Sequence, residues 1–140
     1  MKMIKTETVS VSSRGNTDII NITNKVAEVV KKSKIKNGSV LVFVSGSTAS
    51  VSTMEHEPNL AEDVKGVLND IAPYGRDYKH HETWGDDNGP AHVRATLMGP
   101  GLTVPFENGK LLLGTWQQIV VLDFDTRPRS REIVIQVTGE

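Results

Sequence analysis

The chain contains no cysteine. Disulfides and thiolate metal ligands are therefore excluded, and any metal must be held by His, Asp, Glu, Asn, backbone oxygen or water. An excess of one charge sign is also missing: 16 Lys and Arg against 17 Asp and Glu leave a formal net charge of -1. No global electrostatic pull toward nucleic acid or an anionic membrane is expected from such a balance. There is no run of about 18 apolar residues to span a bilayer, and residues 1–12 lack the apolar core of a signal peptide. A cytoplasmic location, without membrane or nucleic-acid partners, is the default expectation. Internal repeats and low-complexity tracts are absent. What remains, 140 residues with 37% hydrophobic and 24% charged content, is enough to bury a real core in one domain over residues 1–140.

Hydrophobic periodicity sets the expected elements. Residues 2–12 alternate with period two and are rich in β-branched side chains, which predicts a strand. Ser13 to Asn16 reads as a turn, and Asp18–Ile22 as a second strand pairing back on the first. Thr23 is the expected N-cap of a helix over Asn24–Ser33, with Val26, Val29 and Val30 on one face. Val40–Val44 is almost wholly apolar and predicts a central strand buried on both faces. Ser50–Met54 is a further strand. Leu60, Val64, Val67, Leu68 and Ile71 recur at helical spacing after Asn59, the expected cap. Pro90 suits the first turn of a short helix over Ala91–Met98. The remainder reads as β: Leu102–Pro105, a turn at Asn108-Gly109, Lys110–Leu113, Gln118–Phe124 and Glu132–Val137. About eight strands and three helices, without a repeating βαβ order, indicate an α+β fold with a mostly antiparallel sheet.

Chemistry-bearing side chains concentrate between Tyr78 and His92. This stretch holds His80, His81 and His92, three of the four histidines, together with Glu82, Asp86, Asp87 and Asn88. Imidazoles are common ligands for zinc and similar ions, and three within thirteen residues form a facial set if a turn brings His92 back beside His80 or His81. Asp86 or Asp87 would complete the shell or orient an imidazole. The spacing matches no established zinc signature, and the competing reading is three loop histidines with no shared ligand. On an extended segment only one of His80 and His81 faces a pocket. One of Asp86, Asp87 and Asn88 also suits the N-cap of the following helix.

Four weaker signals lie outside this stretch. Gly46-Ser47-Thr48 follows the apolar strand and exposes backbone N–H groups to an anion, although the Lys of a P-loop is missing and a plain turn fits equally. Glu55 at a strand end is either a base or metal ligand, or a solvated loop carboxylate. Trp116 reads as a core or interface residue beside Gln117. Arg127, Arg129 and Arg131 alternate, giving either a solvated edge or an anion clamp.

The combination of Asn88-Gly89-Pro90-Ala91-His92, the run from Pro105 through Glu107-Asn108-Gly109-Lys110 to Gly114-Thr115-Trp116-Gln117, and the ending Asp125-Thr126-Arg127-Pro128-Arg129-Ser130-Arg131 resembles the YjbQ family over most of the chain. The resemblance implies an α+β protein assembling as a homotrimer, with a pocket at the subunit interface. It implies weak thiamine-phosphate-synthase-like activity, joining a pyrimidine diphosphate to a thiazole phosphate. Carried over residue by residue, it favours Glu55, His80 or His81, Asp87, Asn88, His92 and Gln117 as pocket residues. In that reading Gly46, Ser47, Thr48 and Arg129 hold phosphate oxygens, and His80, His81 and His92 hold a divalent ion, zinc or magnesium. Many members carry a His-Thr-Thr-Ala run where this chain has Gly46-Ser47-Thr48-Ala49, which removes one candidate acid, base or ligand. Three readings follow: a transferase acting on phosphorylated small molecules; a protein that binds a divalent metal, a phosphorylated metabolite or an inorganic anion without turning it over; or a structural or interaction module whose trimer is the point and whose pocket is vestigial.

Overall fold

A computed structural model describes residues 1–140. Its strands are β1 (Met3–Ser13), β2 (Asp18–Asn21), β3 (Gly38–Val44), β4 (Ala49–Glu55), β5 (Gly101–Glu107), β6 (Lys110–Leu111), β7 (Gln117–Asp123) and β8 (Arg129–Gly139). The helices are α1 (Thr23–Ser33), α2 (Pro58–Ile71), α3 (His81–Trp84) and α4 (Gly89–Met98). All pairings are antiparallel, in a five-stranded sheet ordered β1-β8-β3-β5-β6 and a three-stranded sheet ordered β2-β7-β4. The fold is therefore the α+β class read from the sequence. No helix is long and apolar enough to cross a membrane.

The two sheets and three helices build the molecule in layers. Val40, Val42 and Val44 of β3 and Ile133, Ile135 and Val137 of β8 pack inward against Val26, Val29 and Val30 of α1 and against Val51, Ile119 and Val121 of the smaller sheet. On the other face of the smaller sheet, Val120, Leu122 and Phe124 meet Leu68 of α2 and Ala91 and Ala95 of α4. β7 is thus the strand buried on both faces, each of its large apolar side chains contributing about 1.5–3 kcal/mol relative to exposure.

Several expectations change for identifiable reasons. β3 is central in its sheet, but it alternates: Leu41 and Phe43 point outward, 38% and 39% exposed. An apolar run alone does not distinguish a two-sided strand from one whose outer face awaits a partner. β2 does not pair with β1. Gly15, Asn16 and Thr17, all at positive φ, carry the chain across to the other sheet, where β2 joins β7 while β1 pairs with β8. Helix α1 begins at Thr23 with Ile22 in the cap position, because the Asn21 side chain accepts the Thr23 N–H and the Thr23 hydroxyl is taken by the backbone of Ile119. In α2 the capping acceptor is Glu57, whose carboxylate takes the N–H groups of Asn59 and Leu60, with Pro58 in the first turn. Val67 and Ile71 of that helix stay more than half exposed, so its buried seam is narrower than the spacing implied. The turn at Asn108-Gly109, with φ of 51° and 76°, is the left-handed pair that a two-residue hairpin needs.

Candidate functional site

The Tyr78–His92 stretch folds as a tight turn rather than an extended segment. Backbone bonds from His81 to Tyr78, Glu82 to Lys79 and Thr83 to His80 wind it into α3, and Gly85 ends it with φ of 70°. Successive side chains therefore separate by about 100° instead of alternating. His80 faces inward and His81 outward. The His80 and His92 rings lie 4.5 Å apart between centroids, tilted by 54°. His81 Nδ1 instead meets the Asp87 carboxylate at 2.9 Å, both groups being well exposed. The three imidazoles do not converge as one facial set, and no group of three or more His, Asp or Glu side chains is gathered in metal-binding geometry within the chain.

Two polar atoms in this wall are buried without any hydrogen-bond partner: His80 Nε2 and Asn88 Oδ1. Nearly all buried polar groups in native proteins are paired, so such atoms call for an explanation. Asn88 stands at the N-cap position of α4, yet its side chain makes no cap bond; its backbone carbonyl accepts from Ala91 and His92 instead. The side chain that should be occupied by capping is left free. Asp86 lies 3.9 Å from His80 Nε2, too far for a hydrogen bond. His92 is pushed below the usual histidine range, first by burial and then by the neighbouring His80, with Asp125 and Asp86 opposing. It is a neutral imidazole at pH 7, able to accept a proton or hydrogen bond.

Next to His92 lies a closed ionic lattice that sequence reasoning largely missed. Arg131 on β8 donates from Nε and Nη2 to both carboxylate oxygens of Asp123, at 2.7 and 2.8 Å. Its Nη2 also reaches the Thr48 hydroxyl at 2.6 Å, which donates onward to Asp125 at 3.0 Å. Arg129 completes the set with a 2.7 Å contact to Asp125. Burial would raise both carboxyls, but the hydrogen bonds and the two guanidiniums win and hold them below the ordinary carboxylate range. The signal was present as matched alternation: Asp123-Phe124-Asp125 and Arg129-Ser130-Arg131 each place two charges on one side of the chain.

This lattice alters the anion-site expectation. Thr48 is buried and its hydroxyl is committed, and Arg129 is paired to Asp125. Gly46 and Ser47 remain exposed at the mouth. Glu55 and Gln117 lie elsewhere. They pair with each other at one end of β4 and β7, whereas Ala49 and Asp123 pair at the other. Six residues of strand at about 3.3 Å each put roughly 20 Å between the two ends. Gln117 bonds the Thr53 hydroxyl and the Gly114 backbone, and Trp116 beside it is 71% exposed. One chain therefore brings together His80, His92, Asn88 and the Thr48–Arg131 lattice, and leaves Glu55 and Gln117 apart. A cleft of about 540 Å³ opens on the outer side of the wall, between His81, Asp87, Tyr74, Tyr78 and Arg76.

Comparison with known proteins agrees with this architecture. A family model described as UPF0047 protein YjbQ-like matches residues 7–140. A UPF0047 protein of Archaeoglobus fulgidus is 40% identical over 85% of this chain and 90% of its own length. One from Methanothermobacter thermautotrophicus is 34% identical over 98% and 94%. Among solved structures, a YbjQ-like protein of Sulfolobus solfataricus superposes with a TM-score of 0.94 at 35% identity, covering 100% of both chains. A family member from Clostridium acetobutylicum gives 0.86 at 34% identity, covering 94% of this chain and 98% of its own. With the family model spanning all but the first six residues, the chain belongs to the UPF0047 (YjbQ-like) family.

Proposed function

We propose that the His80–His92–Asn88 wall is one side of a pocket for a phosphorylated small molecule, and that the pocket carries thiamine-phosphate-synthase-like transfer. The observation that carries this reading is the pair of buried, unpartnered atoms, His80 Nε2 and Asn88 Oδ1, beside a neutral His92. A donor-capable imidazole nitrogen and an amide oxygen held without partners suit a ligand that supplies the missing half of each bond.

In the transfer, a C–N bond forms between the pyrimidine methylene carbon and the thiazole nitrogen. The C–O bond to diphosphate breaks, and pyrophosphate leaves with the electron pair. His80, with its ring proton on Nε2, would donate to a diphosphate oxygen. Neutral His92 accepts a hydrogen bond from an amino group of the heterocycle, and Asn88 fixes the donor it faces. These groups stabilise charge that develops on the leaving oxygen. In the metal-dependent form of this reading, a divalent ion, zinc or magnesium, would take the place of those hydrogen bonds at His80, His92 and Asn88 and would neutralise the diphosphate. Since no three protein ligands converge within one chain, substrate oxygens or a second subunit would complete its shell.

We propose a homotrimer as the assembly that would complete this pocket. Leu41 and Phe43 on the outer face of the larger sheet and Trp116 near Gln117 are exposed in the single chain. Packing of three copies through such surfaces would cover them and let Glu55 and Gln117 of one copy approach the histidine wall of another. Light scattering of the purified protein reads the oligomer directly. Incubation with both substrates and magnesium, followed by an assay for thiamine phosphate, reads the activity. His92→Ala should lower the rate by about 10²–10⁴-fold, the usual range for loss of a proton-handling group. An unchanged rate in that variant means the site is misassigned. Stoichiometric binding of metal or phosphate with no turnover would favour the binding-protein reading instead.

A further inference from the structure

Arg94 is the one buried cation of the chain with no carboxylate beside it. It is 1% exposed. Its Nε donates to the Ala72 carbonyl at 3.0 Å and its Nη1 to the Thr17 hydroxyl at 2.7 Å, while the Tyr74 ring lies 4.4 Å from the guanidinium carbon. Nη2 has no protein partner. Burial pushes the guanidinium down from its usual range, and only Tyr74 and Tyr78 oppose that push. Arg131, equally buried, shows the ordinary solution, with the Asp123 carboxylate on two of its nitrogens. A buried charge without a counter-charge is costly, and Arg94 has been given hydrogen bonds and an aromatic face but no anion.

The space next to it is open. A cleft of about 450 Å³ reaches Arg94 from the surface and is walled by Asn16, Thr17, Lys65, Asn69 and Tyr74. Glu62 also lines it, 3.6 Å from Lys65, but its side chain is 75% exposed and leans to solvent. The formal balance of the lining is positive: Arg94 and Lys65 against Glu62. Arg94 stands two positions after His92 on α4, about 200° around the helix. The cleft therefore opens on a different side of α4 from the histidine wall.

We propose that this cleft is an oxyanion site that takes the phosphate group of a small metabolite, with Arg94 as its charged floor and Lys65 and Asn69 as its rim. Nη2, the guanidinium nitrogen left without a partner, offers N–H donors to a phosphate oxygen, and the guanidinium supplies the positive charge beside it. The site does not depend on the transferase reading of the histidine wall, and the two fail separately.

The test is titration with inorganic phosphate and with glycerol phosphate, at ionic strength held constant with chloride, followed by calorimetry and thermal shift. The wild-type protein and His92→Ala should both show saturable binding and a rise in Tm. The Lys65→Ala/Asn69→Ala double variant changes only rim residues; it should keep the unliganded Tm and bind at least tenfold more weakly. Arg94→Gln, checked for folding by circular dichroism, should lose the binding that is sensitive to Lys65 and Asn69. In nitrogen-15 NMR the Arg94 guanidinium signals should move on phosphate addition. No response beyond the chloride control would overturn the site, as would binding unchanged in the double variant. Binding lost in His92→Ala but kept in the double variant would place the anion at the histidine wall instead.

Discussion

Two polar clusters meet near the N-terminus of α4, and they are built on opposite rules. In the lattice of Arg131, Asp123, Thr48, Asp125 and Arg129, donors face acceptors and carboxylates face guanidiniums. In the histidine wall, His80 Nε2 and Asn88 Oδ1 make no hydrogen bond. A closed network of buried charge positions the strands that carry it. An open one leaves bonding capacity to spare, which is what the proposed ligand at the wall would use. Of Gly46, Ser47, Thr48 and Arg129, the residues expected from the sequence to hold an anion, Thr48 and Arg129 are engaged in the closed lattice, and Gly46 and Ser47 are exposed.

The sharpest way to break this contrast is to remove a charge from the closed cluster. Arg131→Met should destabilise the protein by about 3–5 kcal/mol, because it strands the buried Asp123 carboxylate. Denaturant unfolding measures it, and a loss under 1 kcal/mol would mean that the lattice is not structural. Asn88→Ala should behave in the opposite way. It should change stability by less than about 1 kcal/mol, since no native hydrogen bond of the side chain is lost. Substrate or phosphate affinity at the wall should drop about tenfold, in the range of one hydrogen bond.

Acid separates the clusters along the pH axis. His92 has a folded pKa below the usual 6.5, so the unfolded chain binds the proton more tightly. Its contribution is complete above pH 6.5 and declines as pH falls from there toward the lowered folded value. Asp123 and Asp125 also have lowered folded values, so their contribution is complete above the ordinary carboxylate value of 3.8 and is lost as pH falls through the folded pKa. Stability measured against pH should therefore fall in two stages, and His92→Ala should remove only the upper one. The smallest effect belongs to the exposed His81–Asp87 pair: His81→Ala should shift stability by no more than about 0.5 kcal/mol, as solvent-exposed pairs usually do.

Local patterns carried most of the fold. The alternation of residues 2–12, the valines of α1 and the Asn108-Gly109 turn all report on neighbours close in sequence, and they became β1, a packed helix face and a hairpin. The failures were failures of partnership. Nothing in Asp18–Asn21 reveals that its partner is β7 rather than β1. The apolar run of β3 could not show that Leu41 and Phe43 face outward, while β7, with a comparable run, is enclosed by helices on one side and a second sheet on the other. At the site, residue type drew attention to His80, His92 and Asn88 correctly as neighbours. The choice between His80 and His81 needed the helical turn. The lattice and Arg94 needed contacts between residues up to 83 positions apart, such as Arg131 with Thr48.

The position of β8 governs when this chain can finish folding. β8 lies between β1 and β3, the first and third strands in the chain, and pairs residue by residue with both. During synthesis both of those strands leave the ribosome long before their shared neighbour exists. Until β8 emerges, two strand edges stand open at once, and β1 has no strand to pair with. Such long-range closure slows folding and leaves bare edges for other chains to find. Removing the final strand should therefore yield a chain that aggregates during expression rather than a smaller stable protein.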